Sequence, residues 1–216
     1  MNKKLKNHNS GLTLAELLVA LMVASIIFTA VASFTYAMSS ANDSSEDISF
    51  KQAQIRHAAV RLSELLRNSK LITLTASGED LAVWRADDNN NNSIDPSELV
   101  FIEIGPNKDY IRLLEFPGAP DFSISLAEIT ADQAKTSLSF GFASYVRRAK
   151  LIEQCSNVTF YTDSINALNR FVSISFDIKE GGQTRNYQIS AALRCWAGNL
   201  LSEDGLSFVE DNEDDD

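Results

Sequence analysis

Between Leu17 and Asn42 no side chain carries a charge, and the run LLVALMVASIIFTAVASFTYAM is almost wholly apolar. A helix needs about 20 residues to cross a hydrocarbon core, so this segment predicts a membrane-spanning helix. No Gly or Pro occurs between Gly11 and Gly78, which lets the helix run well past the apolar part. Ser39–Asp47 is polar and a poor helix former, and Ser44 or Ser45 is placed to cap a second start after a break. From Ile48 a helical period returns. Ile48, Ile55 and Leu62, with Ala59 and Leu66, form one apolar stripe, while Lys51, Arg56, Arg61 and Glu64 face outward.

After Lys70 the period changes to that of strands. Segments 71–75, 81–85, 99–104 and 110–116 read as strands, with Gly105–Asp109 turning the last two into a hairpin. Residues 125–153 are rich in Ala, Glu, Gln, Lys and Arg and read as partly helical. Three further strands are expected at 157–161, 171–178 and 185–195, with Gly181-Gly182 as the turn between the last two. In the middle strand Val172, Ile174, Phe176 and Ile178 alternate with Phe171, Ser173, Ser175 and Asp177, so the former face is the buried one. The pattern predicts an α+β chain in which a long N-terminal transmembrane helix lies on an antiparallel sheet. Its segments are a basic leader (1–11), a transmembrane helix (12–38), an exoplasmic continuation (39–70), a β-rich head (71–200) and an acidic tail (201–216). The tail holds too little apolar surface to fold.

Charge adds direction. The formal balance is −10, and loss of Lys3, Lys4 and Lys6 with a leader ending at Gly11 lowers it by three to −13. Such a surface disfavours nucleic acid, whose phosphates need clustered Lys and Arg. The lysines precede the apolar run, while Asp43, Glu46 and Asp47 follow it. The positive-inside rule therefore puts the N-terminus in the cytoplasm and the head outside. In that compartment Cys155 and Cys195 are expected to form a disulfide, because thiols are not kept reduced there; two separate buried thiols are the alternative.

Three readings compete for the apolar run. Ala30-Val31-Ala32 has the small-x-small form of a secretory cleavage site, and a plain signal anchor is also compatible. Neither explains Glu16, a carboxylate that is costly in lipid. Gly11-Leu12-Thr13-Leu14-Ala15-Glu16, behind a short lysine-bearing leader, resembles the processing motif of type IV prepilins and type II secretion pseudopilins. The resemblance implies cleavage after Gly11 by a prepilin peptidase and N-methylation of Leu12, where the family usually has Phe. It also implies a role for Glu16, the fifth mature residue, in assembly. There the carboxylate would pair with the terminal amine of a neighbouring subunit, an opposite charge that favours ionisation. Implied partners are other pilin-like subunits, the peptidase and the inner membrane, and the implied product is a periplasmic or extracellular filament. Size and the sheet-rich head resemble the larger minor pseudopilins, the J-type in particular. The alternative is an exported calcium-binding adhesin or binding module, anchored by an ordinary signal sequence or released after Ala32.

Asp87–Glu98 (DDNNNNSIDPSE) resembles the EF-hand calcium loop. Asp87, Asn89, Asn91, Ser93 (through its carbonyl), Asp95 and Glu98 fall at the ligand positions, and Ile94 at the apolar one. Asn92 stands where that loop has Gly, and the flanks read as strands. The expectation is a structural Ca2+ site. Catalysis is not expected: His57 is the single histidine after the leader, and no His/Cys cluster suits zinc.

Overall fold

The computed structural model describes residues 13–163 and 169–194. It falls into two compact units, one ending at Asp47 and the other starting at Ile48. The first unit is helix. Helix α1 (Leu14–Asn68) begins here, and its residues through Asp47 are helical without the break expected at Ser44 or Ser45. Cap-forming serines confer only local preference, and no Gly or Pro is present to enforce a stop.

In the second unit, Ile55, Ala58, Leu62 and Leu66 of α1 are buried. The stripe runs through Ala58, which is fully buried, with Ala59 partly covered beside it. Strands β1 (Leu71–Leu74), β2 (Asp80–Trp84), β3 (Leu99–Ile104), β4 (Tyr110–Glu115) and β5 (Arg147–Glu153) form one antiparallel sheet in that order. Strands β6 (Cys155–Thr162), β7 (Phe171–Glu180) and β8 (Gln183–Ala192) form a second antiparallel sheet. Short helices α2 (Leu126–Thr130) and α3 (Gln133–Gly141) lie between β4 and β5 in sequence.

Two clusters of buried side chains explain the layers. The α1 stripe packs with Leu81, Val83, Val100 and Ile102 of the first sheet and with Val172, Ile174, Phe176 and Ile178 of the second. The alternate residues Ala82, Trp84, Leu99 and Phe101 face the other way and pack with Leu126, Ile129, Ala134 and Leu138 of α2 and α3. The first sheet is therefore covered on both faces, which is why β2 and β3 are apolar at nearly every position. The result is the expected α+β, pilin-like order: a long N-terminal helix followed by antiparallel sheets.

One strand departs from expectation. Arg147–Glu153, expected within a partly helical segment, is the edge strand β5 paired with β4. Its Arg, Ala and Lys residues favour helix, but only Leu151 and Ile152 are buried while the charged side chains project to solvent. Charged edges of this kind are tolerated in sheets and protect them from further pairing. Gly181 and Gly182 turn β7 into β8 with φ of 54° and 83°, the pair of positive values that a type I′ hairpin demands.

Candidate functional site

Two places carry chemistry, one in each unit. In the first, Thr13 precedes α1 and Glu16 lies in its first turn. The Thr13 backbone N–H and hydroxyl both donate to Glu16 Oε2, at 2.9 and 3.0 Å, and the Glu16 N–H donates to Thr13 Oγ1 at 3.3 Å. This reciprocal capping box satisfies donors that a helix start leaves open. Thr13-x-x-Glu16 is a sequence signature of this box, one that the charge of Glu16 alone does not reveal. Gly11 and Leu12, the expected cleavage and methylation residues, lie outside the described residues.

Beyond the cap, large apolar side chains from Leu14 to Met38 are exposed, among them Leu17, Leu21, Ile26, Phe28 and Phe34. The helix is long and apolar enough to cross a membrane. Its hydroxyls suit that medium. Ser25, Thr29, Ser33 and Thr35 donate to the carbonyls of Met22, Ser25, Thr29 and Val31 at 2.7–2.9 Å. In hydrocarbon an unsatisfied polar group costs several kcal/mol, so such internal pairing matters.

In the second unit, the expected metal residues occupy the connection between β2 and β3. Asp87, Asp95 and Glu98 are buried, as is Ile94. The Asn91 N–H donates to Asp87 Oδ1 and Asn89 Oδ1 at 3.0 and 3.1 Å, and the Ser93 N–H donates to Asn91 Oδ1 at 2.8 Å. Asn90 and Asn92 take φ of 56° and 54°. The position where Asn92 replaces Gly is thus left-handed, as its place in the loop required. Ile94 is pinned by the Ile124 N–H to its carbonyl at 2.9 Å and sits in the second core cluster.

The carboxylates themselves have separate partners. Lys70 Nζ lies 3.1 Å from Asp87 Oδ2 and 5.0 Å from the centroid of the Trp84 ring. Asp95 Oδ2 accepts from the side-chain amides of Asn89 and Asn91, both at 2.8 Å. Glu98 accepts from Trp84 Nε1 at 3.0 Å and from the Asp88 N–H at 2.6 Å. Among the described residues no three acidic, histidine or cysteine side chains converge as metal ligands. The structure therefore links Asp87, Asn89, Asn91 and Asp95 through hydrogen bonds, and ties Glu98 to the Asp88 and Asp95 N–H groups and to Trp84. Lys70 and Trp84, unnoticed in the sequence, are part of the arrangement.

A second charged group lies across β2 and β3. Asp80 and Glu103 face each other across β2 and β3. Lys135 of α3 binds Asp80 and approaches Glu103 at 3.8 Å, while Arg112 Nε binds Glu103 at 2.5 Å. Burial lifts the Asp80 carboxyl above its usual range, although Lys135 pulls it down. These residues lie far apart in sequence, so spacing could not reveal them.

The structure does not show the expected disulfide: Cys155 is a free cysteine, buried on β6 opposite Ile178, where burial pushes its thiol up to about 11, and Cys195 lies outside the described residues.

Residues 6–32 match the family model described as the prokaryotic N-terminal methylation motif. No curated protein and no solved structure matches the chain. The match supports a type IV pilin-like, prepilin-processed chain, and the exposed apolar helix is consistent with membrane anchoring.

Proposed function

We propose that the protein is a structural subunit of a type II secretion or type IV pilus-like filament. A prepilin peptidase cuts it after Gly11, Leu12 is N-methylated, and the apolar helix holds it in the inner membrane with the head in the periplasm. It then assembles with other pilin-like subunits through that helix. The observation that carries the reading is the junction of the methylation motif with an apolar surface that the fold leaves exposed. An ordinary signal anchor explains the apolarity but assigns nothing to Gly11 or Glu16. The lysines before the run and acids after it favour a cytoplasmic N-terminus. In this reading the function is mechanical: the helix supplies the packing and the head supplies contacts to other subunits.

The test is co-expression with a prepilin peptidase, followed by N-terminal sequencing and intact mass. Wild type is expected to begin at methylated Leu12, and Gly11→Val to stay as precursor, because the peptidase requires a small residue before the cut. A mature chain beginning at Ser33 would establish ordinary signal-peptidase release and defeat the proposal.

A further inference from the structure

Burying a carboxylate is tolerated when a cation accompanies it, and the head follows that rule with a localised exception. Among the described residues six acids are buried: Asp80, Asp87, Asp95, Glu98, Glu103 and Glu180. Asp80 has Lys135, Asp87 has Lys70, Glu103 has Arg112, and Glu180 has Arg185. Asp95 and Glu98, each 1% exposed, have no Lys, Arg or His partner among the described residues. Both belong to the 87–98 loop. Asp95 Oδ1 is moreover buried without a hydrogen-bond partner, while its other oxygen is held by the amides of Asn89 and Asn91. The orphaned oxygen therefore belongs to the carboxylate on which the loop converges.

We infer that the loop binds a calcium ion, with Asp95 and Glu98 supplying its anionic ligands and Asp87, Asn89 and Asn91 completing the oxygen set. A divalent cation supplies the positive charge that the protein withholds from these two acids. The donors are all oxygens, and with both oxygens of Glu98 and the Ser93 carbonyl they number about seven, one more than an octahedron holds, which suits calcium better than magnesium. Without the ion, the separated arrangement is consistent: Lys70 holds Asp87, and Trp84 Nε1–H holds Glu98. Metal binding requires Glu98 to exchange the indole for the ion, which makes Trp84 a built-in reporter. This inference does not rest on the filament reading, and cleavage at Gly11 neither supports nor weakens it.

The experiment uses the full-length chain in detergent, with thermal melting and tryptophan emission recorded in excess EGTA, in calcium and in magnesium. Calcium should raise the melting temperature by several degrees and shift the emission, and magnesium should do much less. Asp95→Asn removes an unpaired buried charge, so it should melt above wild type in EGTA and lose most of the calcium increment. Glu98→Gln provides an independent isosteric variant and should lose both the increment and the emission shift. Equal wild-type melting in EGTA and millimolar calcium would overturn the inference. So would an increment undiminished in both variants, which places the ion elsewhere in the acidic chain, or an equal response to magnesium.

Discussion

Leu21 and Leu62 are the same residue type in the same helix, yet Leu21 is 60% exposed and Leu62 fully buried. The difference extends to their surroundings. Around Leu62 the other apolar positions of α1 are interrupted by Arg56, Arg61 and Glu64, and two sheets cover the stripe that remains. Around Leu21 every face is apolar and no sheet is supplied. A helix apolar all round belongs in a large core or in lipid, whereas a striped one belongs on the surface of a domain. The stripe around Leu62 is thus buried under sheets of its own unit, whereas the apolar surface around Leu21 stays exposed, which is consistent with membrane anchoring.

That division is open to direct tests. The largest effect is expected from truncating the striped part. Leu62→Ala should destabilise the head by about 2–5 kcal/mol, the usual cost of a buried leucine and the cavity left behind. Leu21→Ala should leave head stability within about 0.5 kcal/mol of wild type. Denaturant titration of both variants in detergent checks the pair, and similar losses in the two would erase the distinction between the regions.

A smaller effect separates two roles of Glu16. Gln at this position still closes a capping box, so Glu16→Gln should keep the helix start while removing the charge. Thr13→Ala should weaken the start by about 1 kcal/mol and keep the charge. If pairing with a neighbour's amine drives assembly, Glu16→Gln loses cross-linking to partner subunits and Thr13→Ala largely retains it. The reverse order would reduce Glu16 to a helix cap.

The smallest expected effect is none at all. Cys155 is a free thiol in the structure, so adding reductant should not shift the head's melting temperature. Unreduced, denatured protein should take up an alkylating agent at both cysteines. In the native state Cys155 should resist the reagent near pH 8, since its thiol is buried and ionises only at about 11. Resistance of both cysteines after denaturation would instead show a disulfide.

Much of this was written locally in the chain. The apolar run, the alternation of Val172, Ile174, Phe176 and Ile178, and the Gly181-Gly182 turn each depend on neighbours a few residues away, and the structure has all three as read. The left-handed Asn92 was equally legible, because the spacing of the 87–98 loop demands that conformation whatever surrounds it. Strand β5 was not legible, since its residues prefer helix in isolation and become a strand only because β4 presents an open edge to them. The partners of the buried acids were likewise invisible: Lys135 reaches Asp80 across 55 positions of sequence, and Lys70 reaches Asp87 from the far side of a strand pair. Pairing of charges depends on distances in space, and those exist only once sheets and helices have packed.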